Sequence, residues 1–409
     1  MWFKISYVIY LIVCLLFGNI ELFPSLSIRH ILTFYMLVCC IVQGGIKINR
    51  FIRAYLIFLL FYGISSIFTG YGLVFLRNLI GTFFAAIVIY WSTKILFQKY
   101  DGGIWMINAV LAVAVINSII AIGQFYQNPQ ALAITSFFRF NMGEDVVEMY
   151  EQAKDFHGRY VSGMMDVVSS GYFMSAASVV ALYNKEGKLS IRNILTFALI
   201  FYSLFLGQER AGFYCGILCV ALYLLIMIGR NETSVLSIFF LLVIGLFVIQ
   251  HYGGYLFSLD DMRYKSVEDS GLRGRLIQNG WHYFMDHPFG AYLQWVFEGH
   301  EQAHNVFINS LLMGGIIGGV VGIAIIICQL VKVAKILLES LKKEYSTMLV
   351  VLALAFLDYT MNSFFHNPSV LGGVAMYFVL WGGVTSLYGW EGADRQNKLL
   401  SRKVMLYNT

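Results

Sequence analysis

Charged residues are scarce in this chain, which carries them at only 12% of its 409 positions. Soluble domains carry about 25% charged residues, whereas 59% of this chain is hydrophobic. A water-soluble surface cannot be built from that composition. With 4 prolines and 38 glycines, the sequence also excludes collagen-like repeats and low-complexity disorder. The chain is therefore expected to consist of long apolar helices.

Cysteine is limited to six residues, and all of them lie inside apolar segments. No pair stands in a loop where it could form a disulfide or a zinc site, and neither long polar loop contains an Asp-x-Asp motif for a divalent cation. The sequence therefore predicts no metal and no cofactor. The net charge is only +5, and the basic residues are scattered in twos and threes, which argues against a nucleic-acid partner.

The apolar residues form runs that are each long enough to cross a membrane as a helix. A hydrocarbon core of roughly 30 Å needs about 20 apolar residues in helical form, because a helix satisfies its own backbone polar groups. Spans are predicted near residues 5–20, 29–46, 51–69, 73–93, 104–124, 163–183, 190–207, 211–229, 233–250, 305–330, 346–361 and 370–389. The predicted fold class is all-α, a polytopic membrane protein of about twelve transmembrane helices in a single domain over residues 1–409.

Lysines and arginines predict the orientation, because cytoplasmic loops carry an excess of them. Most of the 28 fall in the inside loops when the N-terminus is placed in the cytoplasm, and the C-terminus then lies there as well. Two long loops remain outside, at 125–162 and, between the ninth and tenth spans, at 251–304. A short outer turn is predicted at Gly207 to Arg210. The first span, which follows Lys4, has no cleavage pattern after it and is expected to be retained.

The second outer loop contains a predicted amphipathic helix from Gly271 to Asp286. At 100° per residue, Arg273 shares a face with the apolar positions of this helix, which are Leu276, Ile277, Gly280, Trp281 and Phe284. Arg275 lies about 200° away, among polar residues, and is expected to project toward water. An arginine on a buried face needs an anionic partner. Arg273 is therefore predicted to bind an anion or, alternatively, to pair with one of the loop carboxylates, Asp260, Asp261 and Glu268.

Arg210 and His304 are predicted at the outer ends of two other spans. Arg210 is interpreted as a second anion-binding residue, or alternatively as one that reaches the lipid phosphates or pairs with Glu209. His304 stands where the tenth span begins, and alternatively it only caps that helix. Two guanidinium groups can clamp a diphosphate through bidentate bonds, and an imidazole can accept a proton from a sugar hydroxyl near neutral pH. This set of residues indicates glycosyl transfer.

Three further features give weaker indications. Arg77 lies about one turn inside the fourth span, where a charge is a functional candidate or a structural bond to a broken helix. A glycine run in the tenth span predicts close helix packing; it comprises Gly314, Gly315, Gly318, Gly319 and Gly322. An acidic run in the first outer loop offers catalytic carboxylates or, more simply, a solvated face; it comprises Glu144, Asp145, Glu148, Glu151 and Asp155.

The order of these residues resembles that of the bacterial O-antigen ligase and polymerase superfamily. That family has an arginine at an outer turn, an arginine-led loop helix, a Pro-x-Gly turn and then a His-Asn pair that enters the next span. The matching positions here are Arg210, Arg273, Pro288, Gly290, His304 and Asn305. The resemblance is close over 205–325 and elsewhere covers the topology only. The family's turn more often reads Ser-Arg, whereas this one reads Gln208-Glu209-Arg210.

The resemblance implies a metal-independent, inverting glycosyltransferase that uses a polyprenyl-diphosphate-linked oligosaccharide at the outer face of the bacterial cytoplasmic membrane. His304 would be the catalytic base. The substrate-binding residues would be Arg210, Arg273, Arg275, Asn305 and Arg77. Membrane lipid is a further expected partner, together with a chain-length regulator or a flippase.

A polysaccharide polymerase is preferred within this family, because polymerases are highly divergent and the turn motif of this chain diverges too. An O-antigen-type ligase is the alternative. The second alternative is a flippase or transporter of lipid-linked glycan, which would place several charges at mid-membrane depth.

Overall fold

A computed structural model gives the structure of the chain over most of its length. It describes residues 1–17, 21–23, 26–140, 161–165, 167–185, 189–207, 210–230, 267–300, 303, 305–342, 344–364 and 370–389. The predicted ninth span, at 233–250, and the acidic run of the first outer loop lie outside the described residues.

Helices make up the described part of the chain, apart from one short ribbon in which β1 (Glu21–Phe23) pairs antiparallel with β2 (Leu26–Ser27). The helices are α1 (Trp2–Leu16), α2 (Ile28–Val42), α3 (Arg50–Phe68), α4 (Gly72–Asn78), a π-helix (Leu79–Phe83), α5 (Phe84–Tyr100), α6 (Gly103–Phe125), α7 (Pro129–Phe140), α8 (Val167–Ala181), α9 (Ile191–Leu206), α10 (Arg210–Gly229), α11 (Val267–Asp286), α12 (Tyr292–Phe297), α13 (Val306–Ser340), α14 (Thr347–Asn362), a 3-10 helix (Val370–Gly372) and α15 (375–389). The predicted all-α class is confirmed.

Five of the described helices are long and apolar enough to cross a membrane. They are Arg50–Phe68, Gly72–Tyr100, Gly103–Phe125, Ala211–Gly229 and Val306–Ser340, and shorter apolar helices lie at Trp2–Leu16, Ile28–Val42, Ile191–Leu206 and Thr347–Asn362. Every predicted span other than the ninth overlaps a described helix. The total of twelve and the placement of the termini stay predictions.

Large apolar side chains cover the outward faces of the long helices. On α13, the side chains of Ile316, Ile317 and Val320 are each more than half exposed. Soluble monomers rarely expose a continuous apolar surface, whereas lipid accepts one because the backbone groups are already bonded within the helix. These surfaces, together with the five long helices, identify a multi-pass membrane protein.

Short polar side chains mark where several helices begin. Ser346 Oγ accepts a hydrogen bond from Leu349 N, and Asn49 Oδ1 accepts one from Ile52 N. Each bond satisfies a backbone donor that the first turn of a helix leaves without a partner. Such caps fix the starting points of α14 and α3.

The closest helix packing joins α13 to α3 and depends on the predicted glycine run. A Cβ atom at Gly318 would lie 2.6 Å from Phe61 Cβ, and one at Gly322 would lie 3.1 Å from the Phe58 ring. These glycines let the two backbones approach, so the predicted close packing is confirmed. The helix also continues to Ser340, about 15 Å beyond the predicted end of the span at residue 330.

A buried aspartate that sequence reasoning missed connects three helices. Asp358 of α14 is fully buried, and its Oδ1 lies 2.8 Å from Ser175 Oγ of α8. The same Oγ lies 2.6 Å from the backbone oxygen of Gly212 in the first turn of α10. The sequence interpretation singled out Arg77, and not Asp358, as a charge inside a predicted span. Through Ser175, Asp358 is connected to the first turn of α10, the helix whose first residue is Arg210.

Candidate active site

The predicted loop helix is present as α11, which begins at Val267 and ends at Asp286. Leu276, Gly280 and Phe284 are buried along one side, and Arg275 is exposed, as predicted. The prediction for Trp281 was wrong, because its side chain is 43% exposed. Helix α11 packs mainly on α13. One neighbouring helix buries a narrower strip of the α11 surface than the apolar face that was predicted, and this leaves Trp281 exposed.

Arg273 occupies a backbone position within α11, but its side chain lies outside what the structure describes. The position is seven residues, about 10 Å along the helix axis, before Gly280. Because seven residues are close to two full turns, the two positions share a helix face. The predicted anion-binding role of Arg273 stays a prediction.

Gly280 brings α11 against the chain that leads into α13. A Cβ atom there would lie 2.7 Å from Ala303 Cβ and 2.9 Å from Ile308 Cγ2. Ala303 is fully buried in the resulting contact and packs in a small apolar cluster with Phe284 and Trp295. The loop helix therefore touches residues on both sides of position 304.

The Pro288-Phe289-Gly290 turn after α11 is inserted into a break in α13. In a regular helix the amide of Ile316 would donate to the carbonyl of Leu312. Here Ile316 N donates instead to Pro288 O at 2.9 Å, and Ala291 N donates to Leu312 O at 2.8 Å. The turn thus replaces one hydrogen bond of the membrane helix with two bonds to the loop.

Two glycines make this insertion sterically feasible. Gly315, at the break, has φ 64° and ψ −163°, a conformation that is essentially restricted to glycine. A Cβ atom on it would lie 2.6 Å from the backbone of Phe289. Gly290 has φ +89°, and a Cβ atom on it would lie 2.7 Å from Gly315 N. The Pro-x-Gly turn and the glycine run therefore form one structural unit.

Asn305 caps the helix that begins beside it. Its Oδ1 accepts hydrogen bonds from Phe307 N at 3.0 Å and from Ile308 N at 3.2 Å. The capping role that was the alternative for His304 is thus filled by its neighbour. His304 lies outside the described residues, so its role as general base stays a prediction, as does a substrate contact by Asn305.

The two remaining predicted site residues lie on other elements. Arg210 is the first residue of α10, four residues after α9 ends at Leu206, which confirms the short turn; its side chain is not described. Arg77 lies in α4 with an exposed side chain, two residues before the π-helix at Leu79. Both interpretations of Arg77 stay predictions. Within the described ranges, no group of three metal-ligating side chains is found.

Comparison with known proteins supports the interpretation of this region. Residues 195–323 match the sequence model of a family described as O-antigen ligase. This segment includes α11, the Pro288-Phe289-Gly290 turn and the break at Gly315. A search of curated proteins found no match.

Proposed function

We propose that this chain, whose residues 195–323 match the sequence model of the O-antigen ligase family, is a polysaccharide polymerase. It transfers glycan from a polyprenyl diphosphate carrier to a sugar hydroxyl at the outer face of the bacterial cytoplasmic membrane. The reaction inverts the anomeric centre and needs no metal.

The insertion of the Pro288-Phe289-Gly290 turn at Gly315 is the observation that most supports this proposal. Together with the contact of Gly280 on Ala303, it anchors α11 at both its middle and its end. The segment that carries Arg273 is thereby held beside the chain that carries His304. Catalysis benefits from such rigid placement, because misplacing a reacting group by about 1 Å can cost about 100-fold in rate.

Each site residue has a defined task in the proposed reaction. Arg273 and Arg210 bind the diphosphate of the donor by bidentate hydrogen bonds. His304 accepts the proton of the acceptor hydroxyl while the oxygen attacks the anomeric carbon from the face opposite the diphosphate. The bond from that carbon to the phosphate oxygen breaks, and the electron pair leaves with the polyprenyl diphosphate, whose charge the arginines stabilise.

A ligase is the second candidate, because the matched family is described as O-antigen ligase. The same residues would perform the same chemistry on a different acceptor. A polymerase transfers the growing chain to another lipid-linked repeat unit, whereas a ligase transfers the finished chain to lipid A core or to protein.

Lysine substitutions in α11 test the diphosphate clamp. Lysine keeps the positive charge but loses the planar fork of the guanidinium. Arg273→Lys is expected to remove most glycan elongation, whereas Arg275→Lys, whose native side chain is exposed, should retain most of it. The measurement is the glycan ladder from cells that express each variant at equal membrane levels. Equal losses in both variants would contradict the assignment of Arg273 to the buried face.

A further inference from the structure

A cluster of polar and aromatic side chains surrounds Glu298 where α11 meets α12. Tyr283 Oη donates to Glu298 Oε2 at 2.9 Å, and Gln294 Nε2 donates to Oε1 at 2.7 Å. His300 Nε2 lies 3.4 Å from Oε2. The Glu298 carboxylate is therefore oriented by side chains from α11, from α12 and from the residues that follow α12.

These bonds favour the ionised form of Glu298 and the neutral form of Tyr283. The hydrogen bonds from Gln294 and Tyr283 lower the pKa of Glu298, with His300 adding to the effect. Burial and the bond to the carboxylate raise the pKa of Tyr283. Glu298 thus stays an ionised acceptor and Tyr283 stays a donor near neutral pH. A carboxylate with a lowered pKa is a poor general base, so the cluster is suited to binding rather than to proton transfer.

Glu298 keeps capacity for hydrogen bonds from outside the protein. An ionised carboxylate has about four lone-pair sites, and the side chain of Glu298 is 39% exposed while that of His300 is 46% exposed. Incoming hydroxyl groups can reach these atoms from the solvent side.

Aromatic rings flank the carboxylate. His300 stacks on Trp295 with ring centroids 4.6 Å apart. Phe297, which is largely exposed, stacks on Tyr71 of the membrane domain at 5.0 Å. Trp295 itself is buried, so the rings that reach the surface beside the carboxylate are those of His300 and Phe297. A sugar ring offers apolar C–H faces together with hydroxyl groups, and it can contact both kinds of surface.

We propose that Tyr283, Gln294, Glu298 and His300 form a carbohydrate subsite for a neutral or amino sugar unit of the glycan substrate. This inference rests on the proposed function, and it adds a sugar preference to it. Trp295, which stacks on His300, packs with Ala303, so the subsite adjoins the chain that leads into α13. An ionised Glu298 accepts bonds from hydroxyl or ammonium groups and repels the carboxylate of an acidic sugar.

Sugar binding without turnover tests the subsite. Purified full-length protein in lipid nanodiscs is studied by saturation-transfer NMR with methyl glucoside, glucosamine and glucuronate as separate probes. Methyl glucoside and glucosamine are expected to give signals. Glucuronate should bind about fivefold more weakly, because that is the effect of repulsion between two like charges, its carboxylate and that of Glu298, about 4 Å apart in water. Glu298→Gln should bring glucuronate to the level of methyl glucoside. The control Gln278→Ala alters an exposed residue of α11 outside the cluster and should change nothing.

Equal signals from glucuronate and methyl glucoside in the unaltered protein would overturn the subsite, as would an unchanged pattern in Glu298→Gln. Arg273→Lys is expected to keep all sugar signals while it loses glycan elongation. Failure of the subsite would therefore appear in the NMR signals, and failure of the proposed function in the glycan ladder.

Discussion

Replacing His304 by alanine is expected to abolish long glycans in cells without lowering the amount of protein in the membrane. General base catalysis contributes about 10² to 10⁴-fold, so elongation should slow by that factor. The helix cap beside His304 belongs to Asn305, and α13 should therefore begin normally in the variant. The measurement is the glycan ladder together with a quantitative blot of the membrane fraction.

The pH dependence of the rate distinguishes a base from a structural residue. An unperturbed imidazole has a pKa of about 6.5 and acts as a base only when neutral, so activity should fall as the pH decreases through about 7 to 6. His304→Gln should remove this dependence together with the rate. His282→Ala, at an exposed position of α11, serves as the control. Full-length glycan from His304→Ala would exclude a role for His304 as the base.

Gly315→Ala is expected to inactivate the protein by expelling the loop turn from α13. The native φ and ψ of Gly315 cost a non-glycine residue about 1 to 3 kcal/mol, and alanine favours a regular helix over glycine by up to about 1 kcal/mol. Both effects favour closing the hydrogen bond from Ile316 to Leu312 again. Together they amount to about 1 to 4 kcal/mol, which would shift the docking equilibrium by about 5-fold to about 1,000-fold.

Hydrogen exchange measures this undocking directly. The amide of Ala291, which donates to Leu312 O, should lose protection in Gly315→Ala, while the protein stays in the membrane and glycan elongation falls. Gly274→Ala is the matched control, because nothing lies within 4 Å of a Cβ atom at that position. Unchanged protection of Ala291 and full elongation in Gly315→Ala would show that the insertion has no role in activity.

The long apolar runs predicted the helices well, because lipid requires the backbone bonds to be made within each segment. The amphipathic pattern likewise predicted α11, and it placed Gly280 and Arg275 on opposite sides, as the structure shows. It failed at Trp281, because periodicity gives the direction of a side chain but not the width of the surface that covers it.

Features that depend on contacts between distant segments could not be predicted. The break at Gly315 requires the carbonyl of Pro288 as its partner, and the sequence alone shows only a glycine pair and a Pro-x-Gly turn. The short helix α12 was not predicted. The Glu298 cluster was missed for the same reason, since Tyr283 and Glu298 are 15 residues apart and meet only because the chain folds back between them.

The glycan ladder of cells that lack this protein tests the central claim most directly. A polymerase predicts that all chain lengths beyond one repeat unit disappear, while single units are still attached to their final acceptor, and that the intact gene restores the ladder. Long chains that accumulate on the lipid carrier would contradict this claim and identify a ligase instead.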